Sequence, residues 1–163
     1  MVANAARFGR AVIATACVAV LAGCQSRPVR VDWIARDAGF TRNVVVGTEF
    51  SHVVYESVRG KPTREILHVY IEGDGTPWEA GRYPASDPTP HDPVALKLMA
   101  RDHAVAIYVG RPCYFGLASS ANCRTDMWTS RRYAPEIISS TVAVIRRYQR
   151  ELEATKVLLI GYS

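Results

Sequence analysis

A serine ends the sequence, directly after a short apolar run. Residues 157–160 read Val-Leu-Leu-Ile and lead into Gly161-Tyr162-Ser163. A serine hydroxyl becomes an effective nucleophile when a histidine takes its proton and an acid orients that histidine. Ser163 is therefore a candidate catalytic group, and the elements before it decide whether it can be presented to a substrate.

A second candidate is the glycine-rich loop at residues 72–78, which reads Glu-Gly-Asp-Gly-Thr-Pro-Trp. It follows the apolar run at residues 66–71, so it leaves the end of a predicted strand, as Ser163 does. Asp-Gly is a common turn dipeptide, and Asp74-Gly75 can be a tight turn alone. No cluster of acidic residues accompanies Asp74, so we do not expect it to bind a metal ion.

The elements that would position these residues alternate between strands and helices. Residues 44–46 and 52–58, with Gly47 between them, predict two antiparallel strands at a sheet edge. Apolar runs at residues 66–71, 104–109 and 157–160 predict buried strands. Asp92 as an N-cap before Pro93 predicts a helix to about residue 102. Pro135 opens another to about residue 152, with a mainly apolar stripe at helical spacing: Ile137, Thr141, Ile145, Tyr148 and Leu152. We therefore predict an α/β fold in which helices cover both faces of a mostly parallel sheet.

In sheets of this kind, ligands bind outside the carboxyl ends of the strands. Three segments leave such ends here: residues 72–91, 110–133 and 161–163. The first two are long loops, which are more often functional than incidental. The aromatic residues of these loops are consistent with the wall of a pocket, or with packing of each loop against itself. The candidates for a substrate pocket are Trp78, Tyr83 and Tyr114.

This order of elements, ending in a strand and Gly-x-Ser, resembles the N-terminal half of the α/β-hydrolase fold over residues 44–163. Three of the five positions of the nucleophile elbow Gly-x-Ser-x-Gly are present. The resemblance implies that Gly161 allows a tight turn and that Ser163 is the nucleophile. It also implies that the backbone N–H of Asp74 or Gly75 is one oxyanion-hole donor, the other coming from the residue after Ser163. The implied reaction is hydrolysis of a small-molecule or lipid ester, without cofactor or metal.

The resemblance places the triad acid and histidine after the serine. All four histidines precede Ser163; we interpret His52 and His68 as structural strand residues, and His91 and His103 as surface or capping residues beside a helix. We therefore expect this chain to be an N-terminal, inactive part of a hydrolase. A non-catalytic envelope protein with the same sheet, and an acyltransferase on the same fold, are the alternatives. The oligomeric state stays open.

The first residues resemble an export signal. Arg7 and Arg10 precede an uncharged stretch at residues 11–23, which is too short for a confident membrane span. Leu21-Ala22-Gly23-Cys24 resembles the lipobox of bacterial lipoproteins, in which the cysteine is lipidated after cleavage before it; an ordinary signal peptide is the alternative. We predict a signal peptide at residues 1–23, a tether at residues 24–43, and a hydrolase-like domain from residue 44. Because Gln25 is not aspartate, the resemblance favours the periplasmic face of the outer membrane.

Export leaves two cysteines to account for, since Cys17 is removed and Cys24 is lipidated. Cys113 and Cys123 lie ten positions apart, and in an oxidising compartment they are expected to form a disulfide. A metal site lacks nearby histidine ligands, whereas two free thiols remain an alternative.

The charge gives little reason to expect a nucleic-acid partner. The net charge of +5 falls to +3 once the leader with its two arginines is removed. The remaining basic residues are scattered, apart from the short pairs Arg131-Arg132 and Arg146-Arg147. We therefore expect an ester substrate and a lipid-anchored attachment to the membrane, and no nucleic acid.

Overall fold

The computed structural model describes residues 27–57 and 66–163. Three helices and seven strands lie in these ranges, with a 3-10 turn at Thr125–Met127. In chain order they are α1 (Arg27–Asp37), β1 (Phe40–Val46), β2 (Ser51–Ser57), β3 (Ile66–Ile71), β4 (Trp78–Glu79), β5 (Tyr83–Pro84), α2 (Val94–Met99), β6 (Ala106–Val109), α3 (Pro135–Glu151) and β7 (Lys156–Gly161). The predicted leader and Cys24 lie outside the described residues.

Five of the strands form one mixed sheet in the order β1-β2-β6-β3-β7. The β1–β2 and β2–β6 pairs are antiparallel, whereas the β6–β3 and β3–β7 pairs are parallel. The α/β class is confirmed, but the sheet is mixed and not mostly parallel. The short connection through Gly47 reverses the chain, while the connections that contain α2 and α3 return it in the same direction.

Helices cover both faces of this sheet, as predicted. On one face, α1 and α2 pack against side chains that include Val53, Tyr55, Tyr70 and Tyr108. On the other face, α3 packs through Val144, Ile145 and Tyr148 against Val54, Val69 and Ile107. The alternation along β6, where Tyr108 faces one core and Ile107 the other, is the period-two pattern of a strand buried on both faces.

The predicted tether at residues 24–43 is ordered wherever it is described. It forms α1 and the start of β1, with Val31 and Ala35 buried in the core. The Tyr55 hydroxyl donates a 2.5 Å hydrogen bond to Asp32, which also pairs with Arg42 at 3.0 Å. The sequence did not predict this helix, because the apolar stripe of α1 is short and charged residues interrupt it.

Helix α2 exists, but Asp92 does not cap it. The helix begins at Val94, with Pro93 in the cap position and no side-chain cap bond from that residue. The carboxylate of Glu72, at the end of β3, instead accepts the Ala95 N–H at 3.1 Å. A capping group that is remote in sequence leaves no local signature, so the capping pattern pointed to the nearer acid.

The last strand is the least buried of the parallel three. β7 pairs with β3 on one side, and Leu158 and Leu159 are 47% and 59% exposed. The prediction of a buried strand at residues 157–160 was therefore wrong in burial, although right in type. Helix α3 matches its prediction, since Ile137, Ile145 and Tyr148 of the predicted apolar stripe are buried.

The predicted disulfide is present. Cys113 and Cys123 are joined with an S–S distance of 2.08 Å and a Cα–Cα distance of 5.5 Å. The bridge lies in the long connection between β6 and α3, where Tyr114, Phe115 and Trp128 are also buried. This loop is therefore part of the core. Within the described residues, no helix is long and apolar enough to cross a bilayer.

Candidate functional site

The structure brings the serine and the glycine-rich loop together. Ile71 pairs with Gly161 at the carboxyl ends of two adjacent parallel strands, β3 and β7. The Tyr162 N–H then donates to the Ile71 carbonyl at 3.1 Å, so the two chains leave the sheet side by side. A Cβ at Gly73 would lie 3.0 Å from the Tyr162 carbonyl oxygen and 3.3 Å from the Ser163 Cα. Only glycine allows this close approach without displacing the backbone beside Ser163.

The turn at Asp74-Gly75 also needs its glycine. Gly75 has a φ of +65°, in the left-handed region, and a Cβ there would overlap the Pro88 carbonyl oxygen. Neither the Asp74 nor the Gly75 N–H donates a hydrogen bond to another described residue. The tight turn and the two candidate oxyanion donors therefore coexist in one segment, next to Ser163.

The side chain of Asp74 is held by cations. Arg111 Nη1 lies 2.5 Å from Oδ1, and Arg132 Nε lies 2.7 Å from Oδ2. The Tyr133 hydroxyl donates to Oδ1 at 2.9 Å. Partial burial acts to raise the pKa of Asp74, but the hydrogen bonds from Tyr133 and Arg111 and the charges of both arginines outweigh it and lower the pKa below its usual value. Asp74 is therefore an ionised structural group that fixes the glycine-rich loop.

Arg111 connects the two long loops that leave β3 and β6. Its Nη2 donates to the Arg132 carbonyl at 2.6 Å, and its guanidinium lies 5.1 Å from the Tyr133 ring centre and 5.8 Å from that of Tyr114. The Tyr114 hydroxyl donates to the Asp74 carbonyl at 2.8 Å. Sequence reasoning missed these partners. The available signal was an acid and a base of opposite charge just after neighbouring strands, at Asp74 and Arg111.

Glu72 is a buried carboxyl group beside the site. Burial raises its pKa, against the opposing effect of the backbone N–H groups of Ala95, Gly73 and Leu96. The hydroxyl of Tyr108 is buried nearby, and burial followed by the charge of Glu72 raises its pKa. Glu72 therefore ties the start of the loop to α2, and it was not predicted as a site residue.

Two cavities reach Ser163 and Gly73. The larger has a volume of about 350 Å³ and is lined mainly by apolar side chains of α3 and β7, among them Ile138, Val142 and Leu159. The smaller, of about 290 Å³, is bounded by Glu72, Asp74, Gly75, Pro90 and Asp92. An apolar cavity and a polar cavity thus meet at Ser163, which suits a substrate with both kinds of group.

The aromatic residues predicted for a substrate pocket do not line these cavities. Trp78 and Tyr83 lie in the small β4–β5 hairpin and are 43% and 61% exposed. Tyr114 is buried and supports Asp74 from behind. Tyr114 therefore packs within the loops, which is the alternative to a place in the pocket wall.

The histidines are placed away from Ser163 in the described chain. None of them lines either cavity. His68 Nδ1 lies 2.6 Å from Asp102, which also accepts a hydrogen bond from the Tyr70 hydroxyl at 2.8 Å. His91 and His103 flank α2, as predicted. A base for Ser163 is therefore not among the histidines of the described residues.

His52 takes part in a buried hydrogen-bonded pair with a second serine. Its Nδ1 donates to the Gly110 carbonyl at 2.9 Å, because a carbonyl can only accept. Its Nε2 then accepts the hydroxyl of Ser140 in α3 at 2.8 Å. Both residues are fully buried, and burial lowers the pKa of His52. The pair has the hydrogen bond of a nucleophile and its base, but a substrate has no access to it.

Gly161 is less constrained than the resemblance implies. A Cβ at this position would meet no atom of the described chain within 4 Å. The described residues therefore give no steric reason for a glycine at this position. In contrast, Gly73 and Gly75 are both restricted by their neighbours.

Within residues 27–57 and 66–163, no group of three or more His, Cys, Asp or Glu side chains could hold a metal ion. Comparisons with protein-family models, with curated proteins and with solved structures found nothing that matches this chain.

Proposed function

We propose that Ser163 is the nucleophile of an α/β-hydrolase-type serine hydrolase that is attached to the bacterial envelope through Cys24. The close approach of Gly73 to the Ser163 backbone carries the proposal. It places a hydroxyl and a glycine-rich turn at adjacent carboxyl ends, where ligands bind in α/β sheets.

The proposed reaction is hydrolysis of an ester or related acyl compound. The Ser163 oxygen attacks the acyl carbon of the substrate while a histidine removes the hydroxyl proton of the serine. The electron pair of the carbonyl double bond moves onto the carbonyl oxygen of the substrate. The N–H of Asp74 or Gly75 donates to this oxyanion, which contributes about 3–4 kcal/mol per donor. The alcohol departs with the proton, and water then releases the acid from the acyl-enzyme.

The ion pairs of Asp74 support this role for the loop. An oxyanion donor must be held in position before the charge develops. The two arginines and the hydroxyls of Tyr133 and Tyr114 hold both the side chain and the carbonyl of Asp74. Because Asp74 is ionised and already paired, its backbone and not its carboxylate is the group available to a substrate.

The proposal requires an acid and then a histidine after Ser163 in the coding sequence, following a small residue and a glycine. Reading that sequence is the first test. A stop codon, or a continuation without a histidine, would favour the non-catalytic envelope protein. If a histidine is present, an assay in the presence of an alcohol acceptor distinguishes the two enzymes. A hydrolase releases the free acid, whereas an acyltransferase forms a new ester with the acceptor.

The direct test uses a fluorophosphonate probe on the protein expressed from its complete gene. The wild type should be labelled, and Ser163→Ala should lose the label. Ser139→Ala is the matched control, because Ser139 is an exposed serine of α3 that lines neither cavity. Equal labelling of wild type and Ser163→Ala would contradict the assignment of the nucleophile.

A further inference from the structure

Helix α1 carries exposed apolar side chains on its outward side. Val29 and Trp33 are 49% and 60% exposed and lie one helical turn apart. At 100° per residue they face away from Val31 and Ala35, which are buried in the core. Arg36 continues the same row and is exposed. We call Val29, Trp33 and Arg36 the outer ridge of α1.

The chemistry of the outer ridge suits a lipid headgroup layer. Tryptophan has an apolar ring and one N–H donor, and it is enriched where membrane meets water. Among the described side chains of α1, Arg30 and Arg36 are exposed against one exposed acid, Asp37. The remaining acid, Asp32, is bound by Tyr55 and Arg42. The outward surface is therefore slightly positive, which favours anionic lipids.

The chain length from the predicted lipid-bearing cysteine restricts where this helix can lie. Only Gln25 and Ser26 separate Cys24 from the first residue of α1. Three steps of extended chain span at most about 10 Å. A lipidated Cys24 would therefore keep the beginning of α1 within about 10 Å of the membrane surface, so its exposed ridge would meet the headgroups before any other partner.

This placement leaves the candidate site open. α1 packs beside β1 and β2, whereas Ser163 follows β7 at the opposite edge of the sheet. Four inter-strand steps separate β1 from β7, which is about 19 Å at the usual strand spacing. A membrane contact through the outer ridge would not cover the hydroxyl of Ser163.

We infer that the outer ridge of α1 docks on the surface of the bilayer at headgroup depth and so fixes the orientation of the domain. The inference rests on the proposed attachment through Cys24. A lipid surface covers the ridge, because the short connection to Cys24 brings that surface to it.

The test uses the complete lipidated protein in vesicles of phosphatidylethanolamine and phosphatidylglycerol with brominated acyl chains, which quench nearby tryptophans. The Trp78→Phe variant reports on Trp33, and the matched Trp33→Phe variant reports on the exposed Trp78 of the β4–β5 hairpin. Trp128, which is buried, is common to both. We expect quenching in Trp78→Phe to exceed that in Trp33→Phe by about twofold or more, because interfacial tryptophan lies next to the acyl chains.

Each outcome bears on the inference. Mass spectrometry of the N-terminal peptide first reports the acyl chains on Cys24. A lipidated protein with equal quenching in the two variants would overturn the docking of α1 and leave the attachment intact. A doubled mass in detergent with a blue-shifted Trp33 emission would assign the ridge to a second copy and also overturn it. An unmodified Cys24 would overturn the attachment and the docking together.

Discussion

Two serines in this molecule occupy opposite surroundings. Ser140 is buried in α3 and donates to the Nε2 of His52 at 2.8 Å. Ser163 is exposed, borders two cavities and has Gly73 packed closely against its backbone. One site has a nucleophile with a base but no access, and the other has access but no histidine in the described cavity walls. The difference shows that a hydrogen-bonded Ser–His pair is not by itself a catalytic site.

The two regions are also stabilised differently. The Ser140–His52 pair satisfies the Gly110 carbonyl and connects β2 to α3 inside the core. Beside Ser163, the glycine-rich loop is held by the ion pair between Asp74 and Arg111. We therefore expect substitutions at the buried pair to change stability, and substitutions at Ser163 to change reactivity alone.

The largest effect is expected for His52→Leu. The substitution leaves the buried Gly110 carbonyl without its donor, and it leaves the Ser140 hydroxyl with the Phe50 carbonyl at 3.4 Å as its remaining acceptor. We expect the free energy of unfolding to fall by about 3 kcal/mol. Urea denaturation measures it, and His91→Leu, at an exposed histidine, should change it little. Equal losses for the two variants would remove the distinction between buried and exposed sites.

The same histidine should make stability depend on pH. Because burial lowers the pKa of His52, the unfolded chain binds its proton at a higher pH than the folded protein does. The unfolded state therefore holds more protons, and stability falls as the pH drops below about 6.5, by at most about 1.4 kcal/mol per pH unit.

The difference between wild type and His52→Leu isolates this contribution. It should be constant above about pH 7, shrink as the pH falls below about 6.5, where the unfolded chain takes up the proton, and level off below the pKa of the folded state. Denaturation at a series of pH values measures it. A difference that grew on acidification would mean that the histidine is charged in the fold.

A smaller loss is expected for Ser140→Ala. The change removes the hydroxyl that donates to His52 and leaves one nitrogen without a partner. We expect a loss of about 1–2 kcal/mol in the free energy of unfolding. The adjacent exposed Ser139 bonds only within its own helix, so Ser139→Ala should cost about 0.5 kcal/mol or less. The two thermal or urea transitions should differ clearly; coincident transitions would contradict the role of the pair.

The smallest effect on stability is expected for Ser163→Ala. The residue is exposed, and no described side chain depends on its hydroxyl for a hydrogen bond. We expect a change of about 0.5 kcal/mol or less. A loss above that seen for Ser140→Ala in the same urea titration would show that Ser163 is a structural serine, which would reverse the comparison.

The sequence predicted much of the fold because local patterns decide local structure. The apolar stripe that begins at Ile137 predicted α3, and the spacing of Cys113 and Cys123 in an exported chain predicted the disulfide. It also predicted that Ser163 and the glycine loop would both leave strand ends. Three expectations that depend on distant parts of the chain differ from the structure. Part of the predicted tether forms α1, Glu72 and not Asp92 caps α2, and β7 is more exposed than a buried strand.

By itself, the sequence determined which segments become strands and helices, since side-chain periodicity and turn residues act over a few positions. The tertiary structure decided which strands became neighbours, and so it decided that Gly73 meets Ser163 and that Arg111 meets Asp74. It also buried His52 against Ser140 and left Ser163 open. Contacts between residues far apart in sequence depend on packing of the whole sheet, and that packing is not encoded in any single stretch of the chain.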